Sequence, residues 1–320
     1  MGVDQTGNFD PSTYGSNDIT DPNVFAQVLS AVVETMTANG AKGVIGNIPA
    51  VTSLPYFTTV PHDALNPNDP DQEDYKNKIP LLNGFYDLYL NPIFEQIAPD
   101  RKVYFSPDEP SPMVIQDESL PNIKPIIKGA LIAGGADEGF AEILSSQFGQ
   151  SRQATTDDLM VLTSGGVIGT LNQAYYDDII EKVGPELAGQ LAVNGLTFPL
   201  EDQWVLLPSE QASIKTATAS YNASIEAIVT QKGLGFVDAE GLLEQLASGG
   251  LASDGFIITG DYVTGGAFSL DGLHLNARGN AFFANEFLKS IDETYGSNFE
   301  DAGALVDIGD YPPLYGPILP

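Results

Sequence analysis

An acid and an imidazole lie three residues apart near the C-terminal end of the chain, within residues 268–274 (FSLDGLH). A carboxylate beside a histidine can hold the ring in one tautomer and stabilise the imidazolium that forms when the ring takes a proton from a hydroxyl nucleophile. Asp271 and His274 are therefore predicted to be two members of a Ser-His-Asp triad. The same short pattern also fits a capped surface histidine at a helix start, so the spacing alone leaves both interpretations open.

The flanking residues place this pair in a loop that opens a helix. Residues 264–266 (TGG) form a turn cluster, and from Ala277 onward apolar residues recur close to the helical period. Asn276 is predicted to cap the helix, and Gly279 in the first turn would let the helix approach a neighbouring strand closely.

The motif Asp271-Gly272-Leu273-His274, followed by Asn276 and Gly279, resembles the last conserved block of the SGNH/GDSL esterases and lipases. The resemblance extends to residues 43–49 (GVIGNIP), 204–210 (WVLLPSE) and 221–222 (YN). The family members that the chain resembles are secreted proteins or lipoproteins of Bacteroidetes-like bacteria. One departure is Leu275, which stands where the family often has proline.

This resemblance implies a three-layer αβα fold with a flavodoxin-like parallel sheet. It also implies a serine-type hydrolase of carboxylic esters in which His274 is general base and then general acid, and Asp271 orients it. Such a mechanism requires no metal or organic cofactor, and its substrate would be a small-molecule, lipid or carbohydrate ester. The family further implies export, as a secreted, periplasmic or outer-membrane lipoprotein, although the first residues of this chain do not form a signal peptide.

The family's nucleophile block is missing from the sequence. In the family, serine lies in a Gly-Asp-Ser block after the first strand, and the oxyanion-hole residues come from two later blocks; this sequence contains no Gly-Asp-Ser. We therefore expect residues 1–320 to be the C-terminal portion of one SGNH hydrolase-like domain that lacks its first strands, with residues 62–200 as a helical insertion or cap. A literal Gly-x-Asn-Asp at residues 15–18 is interpreted as a loop because its surroundings are polar and rich in turn residues.

Two alternatives remain open. The chain could be an inactive fragment, or a carbohydrate- or partner-binding module, that retains a vestigial dyad. It could also be a complete hydrolase that uses Ser164, which lies in a small-residue turn but has no Gly-x-Ser-x-Gly context, so a structural turn serine is favoured. The other histidine, His62, is adjacent to Asp63 and ranks below His274 as a base.

Composition excludes several classes of partner. The chain has 13 basic and 43 acidic residues, a net charge of -30, which disfavours nucleic acid and anionic membrane surfaces. The absence of cysteine excludes disulfides and zinc–thiolate sites. No apolar run reaches the roughly eighteen residues of a transmembrane helix.

The apolar pattern predicts the order of elements. We expect a helix that is capped by Asp21 or Asn23 and runs to about Asn39, with an apolar stripe that includes Val28, Val32 and Met36. A buried strand is then expected over residues 41–48. Residues 47–57 at its exit fit one wall of a substrate cleft and a plain connecting loop equally well. Residues 62–74 are rich in aspartate and proline but lack the spacing of an EF-hand, so an acidic solvated loop is favoured over a calcium site. Further strands are expected at 102–105, 204–207 and 235–238, and a short extended stretch near 256–259. Residues 159–162 form an apolar run that leads into a small-residue turn. The strands that alternate with helices predict a parallel sheet, and residues 303–320 are expected to pack as a strap.

Overall fold

The computed structural model describes residues 2–313 of the chain. It is a mixed α/β structure, about 51% helical with small sheets, which confirms the α/β prediction at that level. The helices are α1 (Pro22–Thr37), α2 (Pro55–Thr58), α3 (Glu73–Tyr89), α4 (Asn91–Ile97), α5 (Lys124–Ala133), α6 (Glu138–Phe148), α7 (Gln173–Val183), α8 (Pro185–Leu191), α9 (Pro208–Lys232), α10 (Ala239–Ser248) and α11 (Ala277–Tyr295). The strands are β1 (Val44–Gly46), β2 (Val114–Gln116), β3 (Ser151–Gln153), β4 (Leu159–Met160), β5 (Val205–Leu206), β6 (Gly235–Val237), β7 (Leu251–Ser253) and β8 (Phe256–Ile258). Short 3-10 helices cover residues 11–13, 51–53, 70–72, 99–101, 162–166, 202–204 and 308–310.

The chain divides into two compact units. The first unit comprises Met1–Thr59 and Glu210–Pro320, and the second comprises Val60–Ser209. Each unit has its own apolar core, which in the first unit includes Leu246, Ile258 and Phe268, and in the second Tyr86 and Phe148. That residues 62–200 form an insertion in one hydrolase domain stays a prediction.

A parallel strand pair joins distant parts of the sequence in the first unit. Residues 44–46 of β1 pair in register with residues 235–237 of β6. Helix α11 packs on both strands. The Ser290 hydroxyl of this helix donates to the Phe236 carbonyl (2.9 Å), and the Tyr295 hydroxyl donates to that of Gly43 (2.7 Å). The strand predicted at residues 41–48 therefore exists but is shorter, and its residues are half-buried where burial on both faces was expected.

The other described strands are antiparallel. β5 pairs with β4, and β2 pairs with β3. The expectation that residues 204–207 join a parallel sheet is therefore wrong, because their backbone partner is the neighbouring strand of the second unit. β7 and β8 form a hairpin whose turn residues, Asp254 and Gly255, both have positive φ (51° and 81°). An Asp-Gly pair favours a two-residue hairpin turn. The hairpin was not predicted, because the alternation of strands and helices indicated parallel pairing.

The predicted strand at residues 102–105 is absent from the described structure, for a local reason. Its backbone amides are taken by side-chain amides instead of a neighbouring strand. Asn91 accepts from the Val103 amide and Asn83 from the Phe105 amide, each at 2.9 Å. The apolar alternation of this segment therefore produces an extended stretch buried at Val103 and Phe105 without sheet pairing.

Helix α1 begins where Asp21 caps it, because the Asp21 carboxylate accepts from the amides of Asn23 and Val24. Its predicted apolar stripe is only partly covered. Val33 is buried, whereas Val28, Val32 and Met36 are 58%, 48% and 71% exposed. The first unit therefore carries an apolar helix face that its described residues leave open.

Residues 304–313 follow helix α11, where the strap was expected. The Asn285 side chain pairs with both the amide and the carbonyl of Val306, and Ile308 is fully buried. Residues 314–320 of the predicted strap lie outside the described residues. Across residues 2–313, no helix combines the length and apolar character needed to cross a membrane.

Candidate catalytic site

A closed backbone loop carries Asp271 and His274. The Ser269 amide donates to the His274 carbonyl (2.8 Å), and Phe268 and Leu275 form an antiparallel bridge. Gly272 turns the chain with φ of +69°, a conformation that glycine adopts without strain. The loop therefore holds both predicted site residues on a short, internally bonded hairpin.

Asn276 fixes this loop to helix α11. Its Oδ1 accepts from the Gly279 amide (2.9 Å), which confirms the predicted N-cap. Its Nδ2 lies within hydrogen-bond distance of the carbonyls of Gly266 (3.0 Å), Phe268 (3.1 Å) and Pro313 (2.7 Å). Because Asn276 is only 4% exposed, these bonds are shielded from water, and the base of the loop is held rigidly.

Gly279 has the close approach that the sequence predicted. A Cβ atom at this position would lie 2.3 Å from the Ala267 carbonyl oxygen, well inside contact distance. The first turn of α11 therefore packs directly on the backbone that leads into the loop. A side chain larger than hydrogen would push the two apart.

The two predicted site residues are in direct contact. His274 Nδ1 lies 2.7 Å from Asp271 Oδ2. The other carboxylate oxygen, Oδ1, accepts from the amides of Leu273 and His274 (2.9 Å each) and from the Ser269 hydroxyl (2.6 Å). The hydrogen bond from Ser269, followed by those from His274 and the two amides, holds the pKa of Asp271 well below its ordinary value. The carboxylate is thus kept ionised and faces the imidazole with one oxygen.

This arrangement can support proton transfer at the far side of the ring. When Nδ1 carries the hydrogen that Asp271 accepts, Nε2 is the unprotonated nitrogen and can act as a base. The imidazole is accessible, with 83% of the His274 side chain exposed, whereas Asp271 is 46% exposed. The geometry therefore orients the imidazole through Nδ1 and leaves the ring accessible to an incoming group.

Helix α2 contacts the loop, and it lies in the segment for which a cleft wall was one of two interpretations. The Tyr56 amide donates to the Gly272 carbonyl (3.0 Å). The Tyr262 hydroxyl donates to the Leu270 carbonyl (2.7 Å), and the side chains of Leu270 and Leu273 are 64% and 39% exposed. The imidazole therefore lies in a loop that also presents apolar side chains to solvent.

A buried amide network fixes the exit of β1, and sequence reasoning missed it. Asn47 donates to Asp238 Oδ1 and accepts from the Glu240 amide, both at 2.8 Å. The Asn222 side chain brackets Ile48 by accepting from its amide and donating to its carbonyl, again at 2.8 Å. The available signal was a polar residue directly after each of the two parallel strands, at 47 and 238. The network orients the segment that leads to α2.

Ser164 is placed unfavourably for a nucleophile. It lies in the 3-10 helix Leu162–Gly166 of the second unit and is fully buried. Its hydroxyl has no hydrogen-bond partner among the described residues. As placed, a substrate cannot reach this hydroxyl, which agrees with its interpretation as a structural turn residue.

His62 and the acidic loop do not form a comparable site. His62 Nδ1 lies 3.8 Å from Asp63 Oδ1, beyond hydrogen-bond distance. Asp69 caps the 3-10 helix Pro70–Gln72, and Glu73 and Asp74 lie in the first turn of α3. Carboxylates in these positions interact favourably with helix N-termini, which accounts for part of the acidic run.

Comparison with known proteins adds no relative to this description. No family model matches the chain, and no curated protein or solved structure matches it. The case for a function therefore depends on the motif residues and on the geometry of their loop.

Proposed function

We propose that this chain is the dyad-bearing part of a serine-type carboxylic ester hydrolase of the SGNH/GDSL kind. The observation that carries the proposal is the 2.7 Å contact between His274 Nδ1 and Asp271 Oδ2 on a loop anchored at both ends. An accessible ring that faces an ionised carboxylate through one nitrogen is the arrangement that a general base requires.

In the proposed reaction, His274 Nε2 accepts the proton of a serine hydroxyl while the serine oxygen attacks the ester carbonyl. The tetrahedral intermediate collapses, the C–O bond to the alcohol breaks, and the imidazolium returns the proton to the leaving alcohol. Water, deprotonated by the same nitrogen, then releases the acid from the acyl-enzyme. Asp271 accepts from Nδ1 throughout and stabilises the imidazolium. The chemistry requires neither metal nor organic cofactor, and the substrate is a small-molecule, lipid or carbohydrate ester.

We further propose that strands outside this chain deliver the serine and complete a three-layer αβα fold with a parallel sheet. No described strand pairs with the second edge of β1, and in a parallel ladder the backbone groups of Val44 and Gly46 face that edge. Parallel sheets are normally covered on both faces, so a two-stranded parallel pair with an open edge supports further strands.

The exposed apolar surface of the first unit supports the same proposal. The uncovered stripe of α1 is one part of it. A groove of about 540 Å³ is another, and it is lined in part by Val44 of β1 and by Phe287 and Ile291 of α11. Strands added beside β1 would cover the groove that Val44 lines. In this scheme residues 62–200 are an insertion in the domain, and the complete protein is exported.

Hydrolysis of short-chain p-nitrophenyl esters tests the proposal. We expect little turnover by this chain, and turnover by a form extended upstream to a Gly-Asp-Ser block. His274→Ala should lower kcat of the extended form by about 10³-fold or more, as loss of a triad base does in other serine hydrolases. The matched His62→Ala variant should retain activity.

Two results would contradict the proposal. An extended form that is folded but inactive would favour a binding module with a vestigial dyad. Activity of the short chain, with a fluorophosphonate label that His274→Ala abolishes, would instead show that the chain carries its own nucleophile.

A further inference from the structure

Ser269, a hydroxyl-bearing residue of the same loop, bonds to the carboxylate of the dyad. The Ser269 Oγ donates to Asp271 Oδ1 at 2.6 Å, and Ser269 is half-buried. Its partner is the carboxylate and not the imidazole. Its position therefore differs from that of a nucleophile, which would donate to Nε2 of His274.

The distribution of donors on the carboxylate explains what Ser269 contributes. Asp271 Oδ1 accepts three hydrogen bonds in the described structure, and Oδ2 faces the His274 ring. Two of those three donors are backbone amides that follow Asp271 in its own turn. Ser269 lies on the opposite arm of the loop, so its hydroxyl ties the carboxylate to both arms and resists rotation about the Cβ–Cγ bond.

We propose that Ser269 is a positioning residue that selects the Nδ1–H tautomer of His274 and so leaves Nε2 free to act as the base. The inference builds on the proposed function, because the proposed base acts through Nε2 and needs this tautomer. The tautomer of a neutral histidine is set by the hydrogen bond that one ring nitrogen makes, and here that bond is made to Asp271 Oδ2. Loss of the Ser269 hydroxyl would let the carboxylate rotate and weaken the bond.

Charged and titratable residues that flank the loop in sequence have hydrogen-bond partners other than the side chains of Asp271 and His274. Asp261 accepts from the Thr259 hydroxyl, Tyr262 donates to the Leu270 carbonyl, and Arg278 donates to carbonyls of residues 308 and 311. Ser269 is also the first cause of the lowered pKa of Asp271. The orientation of the dyad can therefore be tested through this one hydroxyl.

Nitrogen-15 NMR of the histidine rings tests the inference without requiring turnover. The chain has two histidines, so His62 serves as an internal reference. Spectra are recorded at increasing pH until the ring shifts no longer change, so that the ratio is read on neutral rings. The shifts of Nδ1 and Nε2 then report the tautomer ratio.

We expect His274 to be mainly Nδ1–H in the unmodified chain. Ser269→Ala should lower its Nδ1–H to Nε2–H ratio by about threefold or more, a modest change because the charge-assisted bond is partly exposed. Ser269→Thr, which keeps the hydroxyl, should preserve the ratio. Ser297→Ala is the matched control, because Ser297 donates to Asp292, a carboxylate that also accepts from two backbone amides, and it should leave His274 unchanged.

The possible failures are distinguishable. An unchanged ratio in Ser269→Ala would show that the backbone amides alone hold Asp271, and would overturn this inference while leaving the role of the dyad intact. A His274 ring that is mainly Nε2–H in the unmodified chain would overturn both. If the tautomer ratios are as expected but the extended protein is inactive, the proposed function is wrong and the positioning role of Ser269 stands.

Discussion

At the scale of single residues, the dyad depends on hydrogen bonds more than on burial. His274 is largely exposed, and exposed ion pairs contribute little because water screens them. The pair is nevertheless oriented, since the Asp271 carboxylate has four donors around it. Covering this loop with substrate or further strands would lower the local dielectric constant and strengthen the same contact.

The effect of Asp271 on stability should depend on pH. Its pKa is lower in the folded chain than its ordinary value, so its stabilising contribution is present above ~3.9 and is lost as the pH falls through the folded pKa. We expect Asp271→Asn to lower the free energy of unfolding at neutral pH by less than about 1 kcal/mol, because the group is half-exposed. Urea denaturation of both proteins should show the difference shrinking below pH ~3.9. A difference that does not change with pH would mean that ionisation of Asp271 is not its source.

Residues whose partners are close in sequence could be predicted, and the others could not. Asp271, His274, Asn276 and Gly279 all lie in one loop and one helical turn, where spacing determines contact. Asn222 brackets Ile48 across 174 residues of sequence, and no local pattern signals such a partner. Ser269 was within reach of local reasoning, because a serine two residues before an aspartate can bond to its carboxylate.

At the scale of elements, strands were predicted less well than helices. The α11 start was predicted because its cap, glycine and apolar period agree with one another. Strands of two or three residues carry too few positions for a period, so their partners depend on the rest of the fold. Residues 102–105 illustrate this limit, since Asn83 of α3 and Asn91 of α4 take the backbone amides that a partner strand would bind.

Two glycine-to-alanine changes in helices should have opposite effects. Gly279→Ala should destabilise the chain by about 1–3 kcal/mol, because its Cβ would clash with the Ala267 carbonyl and move the start of α11. A Cβ atom at Gly129 in α5 would have no neighbour within 4 Å. Gly129→Ala should therefore stabilise the folded chain by up to about 1 kcal/mol through helix propensity. Thermal or urea unfolding of both variants measures the difference. Equal effects of the two changes would contradict the close packing at residue 279.

At the scale of the whole molecule, both units combine apolar cores with a strongly acidic composition. Acidic residues outnumber basic ones by 43 to 13, so only a minority of carboxylates can form ion pairs. The remainder repel one another, which favours solubility and opposes compaction. The uncovered face of α1 and the open edge of β1 have the opposite tendency, since apolar surface and unpaired strand edges promote association.

Salt should therefore stabilise the folded chain at neutral pH. Raising NaCl from roughly 0.01 M to 1 M shortens the screening length from ~30 Å to ~3 Å and removes most repulsion among surface carboxylates. We expect the Tm to rise by roughly 4 °C or more, on the scale at which about 1 kcal/mol shifts Tm by ~2–4 °C. The same titration near the pI of about 4.1 is the control, because the net charge there is close to zero and the rise should largely disappear. An equal rise at both pH values would assign the effect to salt exclusion from apolar surface, since charge repulsion acts only where net charge remains.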